Sequence, residues 1–324
     1  MLTRTLIQAL ACGVVLTLAA CGGGGGGDSS TTGSFSVAIT DTPADDGIAV
    51  ANIQFAGMQV QTAGGELQTF NYAPPRNIDL AALQDGLSED LLRDVPLPAG
   101  RYTWIRLLVN AEENVADSYV MFDSGEEYPL HIPSSDMSGL KLVRTFDLPV
   151  NGEADFIIDW DLAMAIQCPP GQMEGDVPLC YLHPALRILD RAESGSIWGT
   201  VDEALVYVDD TDAGRCAPDG GNRVYLFEKP ADAVTPIDDI DMLADDGRAE
   251  VLATAEVRFD LVDLKYRFKF AFVAPGNYTV AFSCSATADE PGTDDYPDIV
   301  ESLFDFEAET DLTVVDATRT DVHF

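Results

Sequence analysis

Basic side chains are scarce in this 324-residue chain: 18 Lys and Arg stand against 55 Asp and Glu, a formal net charge of −37 at pH 7. Residues 21–190 hold 25 acidic against 7 basic side chains, and residues 191–324 hold 30 against 10. Both stretches repel a phosphate backbone, which argues against nucleic acid as a partner. The three histidines, His131, His183 and His323, are scattered over strand-like runs and read as structural or exposed groups, not as general bases. The six cysteines include no CxxC pair, so a zinc cluster has no spacing to rest on. HExxH and the glycine-rich phosphate loop are missing too. The nearest approach to a nucleophile elbow, Gly195-Ser196-Ile197-Trp198-Gly199, has its serine one position off and opens a strand. The apolar run from Leu6 to Ala20 falls short of the roughly 20 residues of a membrane span.

What is present is a chain able to bury a core. It is 46% hydrophobic, with aromatics spread throughout, unlike an acidic disordered tail. Its acidity reads first as solvation and mutual repulsion outside the cell, and second as an opportunity for cations.

The N-terminus carries an address. Arg4, the apolar run and Leu18-Ala19-Ala20-Cys21 resemble a bacterial lipoprotein signal peptide with its lipobox. The resemblance implies that residues 1–20 are removed and that Cys21 becomes the lipidated first residue. It also implies anchoring in a bilayer through acyl chains such as palmitate, effectively permanent because three chains act together. Gly22 in place of an aspartate points, by the same resemblance, to the outer membrane. Six glycines, Gly22 to Gly27, open a flexible tether expected over residues 21–34.

With Cys12 in the signal peptide and Cys21 acylated, Cys168, Cys180, Cys216 and Cys284 remain. An even count in an exported protein reads as two disulfides. Three pairings are open, of which 168–180 with 216–284 is the most local.

Regular structure is expected from Phe35, where Phe35, Val37 and Ile39 alternate with small or polar residues at the strand period. Further strand-like runs fall at 48–61, 66–71, 101–109, 119–122, 127–132, 140–148, 153–161 and 181–189. A short helix is expected near Ser88, with Leu87, Leu91 and Leu92 on one face and Glu89 and Asp90 in its first turn. The pattern resets at 191–196. Strands are then expected at Ser196 to Val201, Asn222 to Glu228, Glu250 to Phe259, Tyr266 to Val273, Tyr278 to Cys284 and Thr310 to Val315, with an acidic loop from Thr235 to Gly247. The prediction is an all-β chain of two β-sandwiches, residues 35–190 and 191–324, the first with one or two short helices. One phrase occurs in both: Leu97-Pro98-Ala99-Gly100-Arg101-Tyr102-Thr103 and Val273-Ala274-Pro275-Gly276-Asn277-Tyr278-Thr279. It reads as a turn feeding a core strand, architectural in meaning.

Two families enter on these residues. Val37 to Ala44, Asn77-Ile78-Asp79-Leu80, Leu97 to Leu107, Ser138 to Leu142, Asp159-Trp160-Asp161 and Tyr181-Leu182-His183-Pro184 resemble, in order, bacterial lipoprotein domains of unknown function 4382. That family implies architecture and address without an activity. Gly199-Thr200-Val201, Arg223 to Phe227 and Tyr266 to Tyr278 resemble the carboxypeptidase regulatory-like, transthyretin-like sandwich. That resemblance implies a non-catalytic accessory that packs on partners or binds glycans.

Asp159 and Asp161 form the most suggestive polar pair, since they share one face of a strand while Trp160 points the other way. They can satisfy buried groups or meet Lys141, hold a cation, or serve as acid and base. Asp209, Asp210 and Asp212 are a second cation candidate, although the sixth position of an EF-hand loop counted from Asp210 would be Arg215 instead of glycine. Trp104, Trp160 and Trp198 are expected in the core more than on a sugar-stacking surface. The expected function is that of an envelope-anchored, non-catalytic binding or structural module with a glycan, protein or matrix partner. The alternative is a hydrolase or cation-dependent enzyme built around Asp159 and Asp161. No cofactor is expected, with Ca2+ the one candidate.

Overall fold

The computed structural model describes residues 31–41, 47–112, 115–132, 140–168, 173–174, 177–178, 180–206, 221–229, 235–240, 247–289 and 304–324. In chain order the first half contains β1 (Thr32–Thr40), β2 (Ile48–Thr62), β3 (Leu67–Asp79), β4 (Glu89–Pro98), β5 (Gly100–Asn110), β6 (Tyr119–Phe122), β7 (Glu127–His131) and β8 (Leu140–Leu142). It continues with β9 (Phe146–Leu148), β10 (Glu153–Trp160), α1 (Leu162–Ala165), β11 (Ile166–Gln167), β12 (Met173–Glu174), β13 (Val177–Pro178), β14 (Cys180–Leu182) and β15 (Leu186–Asp190). The second half contains β16 (Gly195–Val201), α2 (Glu203–Val206), β17 (Arg223–Glu228), β18 (Val251–Glu256), β19 (Arg258–Asp260), β20 (Lys265–Val273), β21 (Gly276–Ser283), β22 (Ala308–Val314) and β23 (Arg319–His323).

Two all-β sandwiches result. In the first, the sheet β15-β10-β1-β4 faces a larger sheet ordered β11-β14-β7-β6-β2-β5-β8, with β3 also on β2 and β9 also on β5. In the second, β19-β20-β16-β23 faces β18-β17-β21-β22. Alternation on β1 sends Phe35, Val37 and Ile39 into the first core. There Phe146 stacks between Phe35 and Tyr102, at centroid distances of 5.7 and 5.0 Å, and meets Phe156 edge-on. Ile197, Phe268, Phe270, Val280 and Phe282 build the second core.

The repeated turn phrase has the same outcome twice. The Tyr102 hydroxyl donates to the Pro98 carbonyl at 2.7 Å, and that of Tyr278 to the Ala274 carbonyl at 2.8 Å. Each tyrosine buries its ring and pins the turn four residues upstream.

Two differences from the sequence reading have physical causes. β1 begins at Thr32, inside the stretch expected to be tether, because Thr32 and Gly33 already pair with Pro98 and Leu97. The helix expected near Ser88 is strand β4. Val37 faces Leu92 while Ala38 faces Asp90, so Leu91 is an extra residue in the ladder and both leucines turn inward. A bulge brings adjacent apolar residues to one face and so imitates helical periodicity. The short helical turns lie instead at Leu80–Ala82 and in α1. No helix among the described residues is long and apolar enough to cross a membrane.

Candidate functional site

β10 presents two faces with different fates. Phe156, Ile158 and Trp160 enter the first core, whereas Ile157, Asp159 and Asp161 point away from it. That second face is not left to water. Ala38, Ile157 and Leu189 pack against Phe272 and Ala274 of the second sandwich. β1 is consequently buried on both sides along much of its length.

The two aspartates complete this seam. Asp159 is 3% exposed and pairs with Arg187, which stands directly opposite it on β15. Arg187 also reaches the Phe272 carbonyl across the seam, at 3.5 Å. Asp161 is equally buried and caps α1, its Oδ1 accepting from the Met164 N–H at 3.3 Å. Its Oδ2 accepts from the backbone N–H of Thr254 on β18 at 2.7 Å and from the Thr254 hydroxyl at 3.1 Å. Burial pushes the Asp161 carboxyl up to about 6; the neighbouring Asp159 charge adds to the rise and the Thr254 N–H opposes it. Such an arrangement ties one sandwich to the other through charge-assisted hydrogen bonds. Lys141 has no part in it: its ammonium lies 5.1 Å from the Trp104 ring centroid, on the far sheet.

The outer face of β19-β20-β16-β23 carries the second constellation. Ile197, Gly199 and Val201 of β16 turn inward, so Trp198 and Thr200 turn outward. Trp198 is only half-buried, which overturns the expectation that it belongs to the core; Trp160 does belong there. Lys269 Nζ and Arg319 Cζ each lie 4.5 Å from the Trp198 ring centroid, a doubled cation–π arrangement. Lys269 donates to the Asp85 carbonyl of the first sandwich at 2.6 Å, and partial burial lowers its pKa. Beside the ring, a depression of about 320 Å³ is lined by Lys265, Arg267, Arg319, Asp321 and His323 among others. Arg319 Nε donates to Asp321 at 2.8 Å, and Thr200 Oγ1 lies 2.7 Å from His323 Nδ1. A smaller depression of about 250 Å³ continues past Trp198 toward Asp85. Trp104 repeats the motif in the first sandwich, flanked by Arg106 at 4.7 Å and Lys141 at 5.1 Å.

Residues 32–178 match the family model described as Domain of unknown function (DUF4382). The first sandwich is a DUF4382 domain. The matched span ends before β15, yet β15 completes the sheet and supplies Arg187 to the seam. No curated protein matches the chain. Among solved structures it is similar to a leucine-rich repeat protein from Bacteroides thetaiotaomicron, at 11% identity and a TM-score of 0.19, covering 91% of this chain and 26% of that one. It is also similar to GBS52, the minor pilin of Streptococcus agalactiae, at 12% identity and a TM-score of 0.19, covering 90% and 94%. A third is the fimbrial anchor protein Mfa2 from Porphyromonas gingivalis, at 12% identity and a TM-score of 0.16, covering 79% and 80%. At such scores the likeness carries no functional argument.

The remaining site residues divide by position. Cys168 and Cys180 are joined, tying the end of the DUF4382 β11 hairpin to β14. Cys284 is disulfide-bonded, and Cys216 lies outside the described residues. Cys21, Asp209, Asp210 and Asp212 lie outside them too. No group of three or more His, Cys, Asp or Glu is placed to hold a metal among the described residues. Sequence reasoning missed Arg187, Thr254 and the cations around Trp198. The period-2 pattern of Ile197, Gly199 and Val201 could have turned Trp198 outward, whereas Thr254 is 93 residues from Asp161 and has no local signal.

Proposed function

We propose that this chain is a lipid-anchored, non-catalytic module of the bacterial outer membrane that holds two sandwiches as one body and presents a surface to a glycan or protein partner. The observation that carries the reading is the seam. Asp159 and Asp161, the pair on which an enzymatic reading would rest, are both buried and bonded to Arg187 and Thr254. Their role in the reading is to hold the sandwiches together; neither is a reactive group facing a substrate pocket. The second sandwich serves as the accessory that its carboxypeptidase regulatory-like resemblance implies.

Anchoring is tested with a Cys21→Ala variant expressed beside the unaltered protein. The unaltered protein should take up palmitate label and resist salt and carbonate washing of membranes. The variant should do neither. A variant that stays in the membrane fraction through both washes overturns the anchored reading.

A further inference from the structure

Carboxylates crowd most of this chain, and the centre of one sheet is nearly free of them. β2, β3 and β5 are 15, 13 and 11 residues long, and together they carry a single carboxylate, Asp79. β4, of 10 residues, carries three, and so does β10, of 8, so strand structure alone does not explain the depletion. Amides stand where acids would be expected. Asn52, Gln54, Gln59 and Gln61 of β2, Asn77 of β3 and Asn110 of β5 are six of the 16 Asn and Gln in the chain. Strand period gathers them: Ala51, Ile53, Phe55, Met58 and Val60 enter the first core, so the β2 amides turn to the outer face. Asn77 and Asn110 stand opposite Gln54 on its two sides. The second sandwich packs on the other sheet, against Ala38, Ile157 and Leu189, and does not cover this face.

The amides are oriented as well as gathered. Asn110 Nδ2 donates to Gln54 Oε1 at 2.7 Å, and Gln54 Nε2 donates to Asn77 Oδ1 at 3.2 Å. Asn52 Nδ2 lies 3.5 Å from the same Asn77 oxygen. The row from Asn77 to Asn110 crosses two inter-strand spacings, about 10 Å. Asn77 is exposed, and with its carbonyl engaged its N–H₂ group keeps two donors for a ligand. Further along β2, Gln61 Oε1 accepts from the Trp104 indole at 2.6 Å, and Trp104 is itself held between Arg106 and Lys141. Tyr119 stands opposite Asn52 and Pro129 opposite Tyr119, both half-buried, and they form an apolar ledge at the other end of the row.

We infer that this face binds a neutral polysaccharide. The claim rests on the binding-module reading above and names its ligand class. Amides both donate and accept, so a fixed row of them meets neighbouring sugar hydroxyls, which do the same. The apolar face of a sugar ring packs on the ledge of Tyr119 and Pro129. A sheet face is long and shallow, which suits the flank of a polymer. An anionic polymer meets the field of a chain with a net charge of −37. A protein partner calls for apolar and aromatic anchors at the centre of the contact, where this face has amides.

The test uses the full chain in a detergent that contains no sugar. Non-denaturing gels cast with dextran, mannan or mixed-linkage β-glucan measure retardation against a plain gel, and calorimetry measures affinity. Polygalacturonate is the anionic probe. At least one of the three neutral polysaccharides should retard the protein, with affinity weakened about tenfold or more in Asn77→Ala and in Asn110→Ala. Asn277→Ala, which removes an exposed amide from β21 of the second sandwich, should bind as the unaltered protein does. Asn77 is exposed, so its variant keeps the test open even where Gln54→Ala or Tyr119→Ala fails to fold. Retardation by none of the three overturns the inference. So does binding that the Asn77 and Asn110 variants leave intact, or tighter binding of polygalacturonate than of every neutral polysaccharide. These outcomes are independent of the Cys21→Ala fractionation, so failure of the face and failure of the anchor are distinguishable.

Discussion

Asp161 should write its own titration into the stability of the fold. Its carboxyl is raised from the ordinary carboxylate value of 3.8 to about 6 by burial at the seam. The native state therefore holds a proton on Asp161 over a pH range in which the unfolded chain has released it. Stability from this group is fully present below pH 4 and is lost as pH rises through about 6. A rise of about two units corresponds to about 3 kcal/mol across that window. Asp161→Asn isolates the effect, because an amide keeps the shape and does not titrate. It also turns an N–H₂ group toward the Met164 or Thr254 N–H, a loss of about 1–3 kcal/mol that does not vary with pH. Slope, not offset, is thus the observable. Urea unfolding of both proteins from pH 3.5 to 8 gives a difference curve. The wild type should lose about 3 kcal/mol relative to the variant between pH 4 and 7. Parallel stability curves, or a difference that moves the opposite way, would refute the buried and perturbed carboxylate.

Replacing both Cys168 and Cys180 by Ser opens a crosslink of sequence separation 12 and should cost about 3 kcal/mol in urea unfolding. Gly199→Ala should cost about 1–3 kcal/mol, since an added Cβ would lie 2.1 Å from the Phe268 ring in the second core; a Tm unchanged from wild type would show that the core gives way freely. Millimolar calcium should raise Tm no more than sodium at equal ionic strength, because general screening relieves the self-repulsion of a −37 chain. A saturable, calcium-specific rise abolished by Asp210→Asn with Asp212→Asn would instead establish a cation site.

How much of this was legible in the sequence depended on how local each signal was. The all-β architecture was legible, because alternation such as Phe35-x-Val37-x-Ile39 and the Pro-Ala-Gly and Ala-Pro-Gly turns report on their own neighbourhoods. The strand at Glu89–Pro98 was not, because a bulge at Leu91 imitates helical spacing over a few residues, and only its partner Val37 reveals the extra residue. The shared orientation of Asp159 and Asp161 could be read from strand period alone, but the meaning of that face could not. An i, i+2 carboxylate pair looks the same whether it lines a pocket or a domain seam. What decides between them is Thr254, in a strand 93 residues away, and Arg187, opposite Asp159 across a sheet.

The same logic runs in reverse at Trp198. Tryptophan on a sandwich strand is expected in the core by composition, yet its inward neighbours Ile197, Gly199 and Val201 already occupy that side. Gly199 is the telling position: the inward site next to Trp198 has no side chain because the Phe268 ring fills its space. The second core is thus complete without Trp198, and the largest side chain of β16 is spent on the outer face. There it orders Lys269 and Arg319, two of the few cations that the chain has.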